Sequence, residues 1–187
     1  MPLTSRGKFL LLVAVFVVPV IAAWIAYFGW RPAAHSNYGT LLKVVPLAHT
    51  AGTSVAGTPF DLGALRGKWV MVNLGSGACD ADCRRQLYLM RQTRIAQGKA
   101  QSRIERLWVL EDAGQPDTGL LAEHTGLHVW RPADAAFLAQ FPAEGARASH
   151  IYLLDPLGNL MLRFPANPEP KRMMKDLKLL LKASQVG

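Results

Sequence analysis

Two cysteines carry the most chemistry in this sequence, Cys79 and Cys83, and they are the only two it has. The run is Cys79-Asp80-Ala81-Asp82-Cys83. Three intervening residues would put the thiols at i and i+4 of a helix, one above the other on a single face. Thiols so placed can close a local disulfide or grip one soft metal ion together. As a redox pair, Cys79 at the helix start would be the nucleophile, because a helix N-terminus favours thiolate, and Cys83 would resolve it. Asp80 and Asp82 oppose this by raising the thiol pKa. As metal ligands, two thiolates suit Cu(I), and a histidine would complete three-coordination. The plain alternative is a static disulfide or two inert thiols, although so small a loop stabilises little through chain entropy.

The flanking pattern says what holds the pair. Trp69 to Leu74 is apolar on both faces, as a central strand covered by helices should be. Gly75-Ser76-Gly77-Ala78 is a small-residue turn. A helix then runs from Cys79 toward Gly98, with Cys83, Leu87, Met90 and Ile95 at roughly helical spacing. Ile104 to Leu110 is the next strand, so the order implies a βαβ unit with parallel strands. Short helices are expected at Leu120–Thr125 and, after Pro132, at Ala133–Gln140. His150 to Asp155 and Leu160 to Phe164 form an antiparallel hairpin around the turn Pro156-Leu157-Gly158-Asn159. A last helix from about Pro170 to Ala183 buries Met174, Leu177 and Leu181, and Lys171, Lys175, Lys178 and Lys182 face water. Strand, cysteine helix, strand, helix, hairpin, helix is the order of a thioredoxin-like fold: α/β, a central mixed sheet flanked by helices.

Other residues are weaker candidates. His150 approaches Cys79 if the hairpin lies beside the cysteine helix, and could otherwise be a buried histidine bonded to backbone. His124 and His128 have metal-ligand spacing, but Gly126 should end the helix between them, so a structural or surface role is expected. Met173 and Met174 could donate thioethers to copper; core packing is the better reading for Met174. Glu111 and Asp112 follow a strand and read as loop acids.

The N-terminus bears on location. From Phe9 to Trp30 no residue is charged, which is long enough to cross a bilayer as a helix. Trp24, Tyr27, Phe28 and Trp30 cluster at its exit, like an aromatic belt, and Arg6 and Lys8 precede it, which places the N-terminus inside. The apolar run is longer than a cleaved signal peptide needs, so an uncleaved anchor is expected. The expected division is 1–8 cytoplasmic, 9–30 transmembrane, 31–58 tether and 59–187 thioredoxin-like domain, outside the cytoplasm in a periplasmic or extracytoplasmic compartment that permits disulfides. Within the tether, 38–42 and 44–47 should lay an edge strand or arm on the domain, and 52–58 should turn. The formal net charge is +8. A basic balance fits nucleic acid, anionic lipid or an acidic partner, but no nucleic-acid-binding motif accompanies it, so no nucleic-acid partner is expected.

Val72-Asn73-Leu74-Gly75, then Cys79-x-x-x-Cys83, then Ile151-Tyr152-Leu153-Leu154-Asp155-Pro156-Leu157-Gly158, together resemble the Sco/SenC family. Those are membrane-anchored, thioredoxin-like proteins that assist assembly of the binuclear copper site of cytochrome oxidase. The resemblance covers the chain from about Phe60 onward, plus the anchor. It implies an assembly factor that handles Cu(I), reduces partner thiols, or both, with a membrane-bound cytochrome oxidase subunit as partner. It also implies a metal set of Cys79, Cys83 and a histidine, for which His150 is the candidate. The family places that histidine a few residues before the hairpin tyrosine; here Arg147 stands five before Tyr152 and His150 two before. The family's proline between the cysteines is absent, and Ser149 stands where thioredoxins carry a proline. A thiol–disulfide oxidoreductase without metal, or a redox-inactive tethered interaction module, are the alternative functions.

Overall fold

The structure, a computed structural model, describes residues 4–29, 37–47 and 51–184. The chain forms two compact units, 1–36 and 37–187.

Among the described residues, the first unit holds one helix, α1 (Ser5–Gly29), with Pro19 inside it and no buried residue. It is long and apolar enough to cross a membrane; 25 residues rise about 37 Å, more than a bilayer's hydrocarbon core. Trp30, Arg31 and the tether residues up to 36 lie outside the described residues.

The second unit is built on one eight-stranded mixed sheet. Its strands are β1 (Thr40–Pro46), β2 (Ala51–Ser54), β3 (Pro59–Asp61), β4 (Trp69–Gly75), β5 (Ile104–Leu110), β6 (Leu127–Pro132), β7 (Ile151–Leu154) and β8 (Asn159–Arg163), in the spatial order β1-β8-β7-β4-β5-β6-β2-β3. The helices of this unit are α2 (Ala81–Ile95), α3 (Thr118–Glu123) and α4 (Pro170–Ala183). β4, β5 and β6 run parallel, and β7 lies antiparallel on the other side of β4. All seven residues of β4 are buried, as its two-sided apolar run requires. Trp69 and Met71 point into a core shared with Leu87 and Met90 of α2 and Met173, Leu177 and Leu181 of α4. Val70, Val72 and Leu74 point into a second core closed by Trp130, Phe137 and Phe141. The α-helices therefore pack into one of the two cores, and short 3-10 segments, Leu62–Leu65 and Ala135–Gln140, contribute to the other.

Several expectations change. The compact unit that holds the sheet runs from Asn37, and two stretches of the expected tether are strands, β1 paired with β8 and β2 paired with both β3 and β6. The edge strand expected near 38–47 is β1. β6 was not anticipated: Gly126 and Pro132 bracket it and read as breakers, but only Val129 and Trp130 within it are buried. The expected helix at 133–140 is a 3-10 segment. The buried stripe of α4 is Met173, Asp176, Leu177 and Leu181, so Met173, not Met174, is the core methionine. The four lysines face solvent as expected.

Asp176 explains how the lead-in strand is secured. Its Oδ2 accepts from Tyr38 N at 2.6 Å and Gly39 N at 2.8 Å. Arg172 stacks over the Tyr38 ring at 4.2 Å, and Tyr38 Oη accepts from Glu169 N at 2.8 Å. Charge-assisted bonds to a buried carboxylate are among the stronger ones. Asp176→Ala should lower unfolding free energy by about 2 kcal/mol and speed hydrogen exchange in residues 38–46. Urea denaturation with exchange mass spectrometry checks both.

Candidate functional site

Cys79 and Cys83 are joined in a disulfide, with an S–S distance of 2.01 Å and Cα atoms 5.1 Å apart. The two do not share a helix. α2 starts at Ala81 with Asp80 as its N-cap, so Cys83 is the third helical residue and Cys79 precedes the cap. Cys79 has φ +41, a region non-glycine residues seldom enter. The i, i+4 helical geometry expected from spacing is thus replaced by a turn: Ser76 O accepts from Cys79 N at 3.1 Å, and Ser76 Oγ accepts from Ala78 N at 3.1 Å. Small residues at 75–78 allow this tight path.

The disulfide lies where the carboxyl ends of parallel β4 and β5 meet the start of antiparallel β7, the position at which open α/β sheets form clefts. A cleft of about 480 Å³ opens there. Cys79 and Cys83 line it, although only 3% and 7% of their surface is exposed. Ala146, Ala148 and Ser149 form the facing wall, and Asp80, Asp82 and Glu111 bring three carboxylates. No basic side chain among the described residues lines the cleft. Asp80 acts twice on the pair. Its Oδ1 accepts from Cys83 N at 2.9 Å, which occupies a helix N-terminal donor that a thiolate would otherwise use, and its charge opposes thiolate.

His150 is not among the residues that line the cleft. It is 4% exposed, with Nδ1 2.8 Å from Phe164 O and Nε2 3.3 Å from Glu144 O. Both ring nitrogens face backbone carbonyls, which leaves none for a metal. No group of three metal-ligating side chains occurs among the described residues. His124 and His128 fall on the C-cap of α3 and on β6. Burial, with Arg91 and Arg106 behind it, lowers the pKa of His124. His128 Nε2 sits 3.4 Å from Glu105 Oε2. The two do not share a helix, as the glycine between them implied.

Other residues hold the cleft in shape. Asn73 Nδ2 donates to Ala148 O and His150 O, each at 3.2 Å, and Gln86 Nε2 donates to Ser149 O at 3.0 Å. These bonds tie the facing wall to β4 and α2. All peptide bonds among the described residues are trans. Asp112, read from sequence as a loop acid, accepts from Gly77 N and Gly114 N at 3.0 Å each through Oδ1. A hydrogen bond from Ser76 and these backbone donors hold its carboxyl below the usual carboxylate range. Asn73 could have been noticed as the one polar residue in an apolar strand. Glu111 and Asp112 follow a parallel strand as expected, and Asp112 does more than a loop acid would, because it bonds to the turn before Cys79.

The electrostatics of Asp80 give a direct expectation. Asp80→Asn keeps a capping oxygen and removes the charge, so the reduced pair should be alkylated about threefold faster at neutral pH. Asp80→Ala should show the same acceleration with a stability loss of about 1 kcal/mol from the missing cap. Iodoacetamide kinetics beside denaturant melts separate the two effects.

No curated protein matches the sequence. Among solved structures, copper-bound ScoI of Bradyrhizobium japonicum is 20% identical, over 72% of this chain and 99% of that one, with a TM-score of 0.55. The thioredoxin domain of a thiol–disulfide oxidoreductase from Bacteroides vulgatus is 17% identical, over 76% and 99%, at 0.56. BsSco, described as a Sco-family cytochrome c oxidase assembly protein with a disulfide switch, is 11% identical, over 78% and 98%, at 0.58. At these identities the likeness establishes the fold, which is thioredoxin-like, and the Sco resemblance drawn from the sequence holds at that level. The model of the transmembrane-like, thioredoxin-like, C-terminal domain family matches residues 69–184, and the chain belongs to that family.

Proposed function

We propose that this chain is a membrane-anchored thiol–disulfide module that serves assembly of a respiratory copper oxidase, and that Cys79 and Cys83 are its working residues. The observation that carries this is the Cys79–Cys83 disulfide lining a cleft at the carboxyl end of the parallel strands. α1 would anchor the chain once in the cytoplasmic membrane, with Arg6 and Lys8 inside and the domain on the oxidising side.

In the reduced state, the Cys79 thiolate would attack one sulfur of a partner disulfide and release the partner's other sulfur as a thiol. Cys83 would then attack the mixed disulfide, free the partner's second thiol and regenerate the bond seen here. Two electrons pass from the pair to the partner, and an external dithiol must restore the reduced state. Cys83→Ser should stop the sequence at the mixed disulfide, giving a partner-linked species on a non-reducing gel that dithiothreitol dissolves and that Cys79→Ser lacks. Absence of any such adduct with a disulfide-bearing oxidase fragment refutes this reading.

A second reading treats Cu(I) as cargo. The copper-bound Sco structure of the same fold favours it. The reduced pair offers two soft sulfurs, and the neighbouring Asp80, Asp82 and Glu111 offer hard oxygens that suit Cu(I) poorly. His150 would have to leave Phe164 O and Glu144 O to serve as a third ligand. Competition titration of the reduced protein with a Cu(I) chelator should therefore show affinity falling at least about 100-fold in Cys79→Ala but by less than about threefold in His150→Ala. A large loss in His150→Ala would instead restore the three-ligand site.

A further inference from the structure

The geometry points to Asp112 and Arg131 as positioning residues that set how firmly the Cys79–Cys83 disulfide resists reduction, by fixing the turn that carries Cys79. The inference rests on reading the pair as a redox couple, and it goes beyond that reading by naming what tunes it.

The turn at 75–79 and the loop at 111–114 meet backbone to backbone. A Cβ on Gly77 would lie 2.3 Å from Gly114 O and 2.4 Å from Gly114 C, so only glycine permits the approach. One oxygen of Asp112 closes the seam by accepting from Gly77 N and Gly114 N. Arg131 on β6 secures the loop from its far side: Nε donates to Asp112 O at 2.8 Å, and an Nη donates to Gly114 O at 2.7 Å. A continuous set of bonds thus runs from β6 through the loop to the turn, two residues from Cys79.

This matters because Cys79 sits at φ +41. An unanchored Cys79 would relax to negative φ once its sulfur was free, and that would carry the sulfur away from Cys83. Reclosing would then require the backbone to return. With the turn anchored, the reduced thiols stay close, their effective concentration stays high, and the oxidised state is favoured. The hydrogen bond from Ser76 and the backbone donors at Gly77 and Gly114 hold the Asp112 carboxyl below the usual carboxylate range, as expected for an acceptor engaged on several sides.

The test is equilibration of the full chain in detergent micelles with dithiothreitol redox buffers, with the free thiols counted by maleimide mass shift. Asp112→Ala should lower the oxidation equilibrium constant about tenfold, equivalent to about 30 mV. Gly77→Ala, which wedges the seam apart with the carboxylate intact, should act in the same direction. Arg131→Ala should show a smaller fall. Asp112→Asn keeps an acceptor oxygen and should stay within about threefold of wild type. Thermal melts of the oxidised proteins confirm that each variant is folded. Constants within twofold of wild type in both Asp112→Ala and Gly77→Ala overturn the proposal, as do equal losses in Asp112→Asn and Asp112→Ala. The measurement reads the disulfide alone, so it stands even where no partner adduct forms and the proposed function fails.

Discussion

The site depends on β4 stopping at Gly75 between a parallel neighbour and an antiparallel one. β5 ends beside it at Leu110 and sends its loop forward, while the segment before β7 arrives from the opposite direction. Three backbone segments therefore converge at one edge of the sheet, and none can continue as strand. Their unpaired backbone groups must be satisfied locally. Asp112 does this for the turn and loop, and Asn73 and Gln86 do it for the facing wall. The cleft is the space left between segments held in this way.

Charge within the cleft runs against the charge of the chain. The protein carries +8, yet among the described residues the charged side chains that line the cleft are the carboxylates Asp80, Asp82 and Glu111. A helix N-terminus normally lowers the pKa of a nearby thiol. Here the first-turn donor Cys83 N is already engaged by Asp80, and Asp82 stands in the same turn. The dipole is largely spent on the cap. As the redox couple proposed above, the pair would be poised by backbone geometry more than by a strongly acidic thiol. This suits a dithiol that gives electrons to a partner better than one that strips them away.

The fold was legible because its main signals are local. The two-sided apolar run at 69–74, the hairpin around Pro156 and Gly158, and the amphipathic C-terminal helix each announce themselves within a short window. β6 and the sheet role of residues 51–54 were not legible, because short edge-side strands take their stability from partners far along the chain. Cys79 shows the same limit at the site. Its spacing from Cys83 fits a helix, and only the competition between Asp80 as cap and Cys79 as first helical residue decides otherwise. An aspartate at a helix start is a strong cap, so the helix begins after it. His150 caps the short 3-10 segment before β7 rather than opening the strand, and its ring bonds to Phe164 and Glu144 carbonyls, neither residue a sequence neighbour.

The disulfide's burial bears on which partners it can serve. A sulfur attacks a disulfide along the S–S axis, so the incoming group must enter the cleft rather than brush its rim. On the facing wall, Ala146, Ala148 and Ser149 carry only small side chains. Their backbone, though, is largely committed. Ala148 O and Ser149 O accept from Asn73 and Gln86, and Ser149 N and His150 N donate to Ala146 O and Arg147 O. A partner cannot gain much by pairing its backbone with this wall as an added strand. Selection must then come from side-chain charge and from the fit of a small loop around its own sulfur.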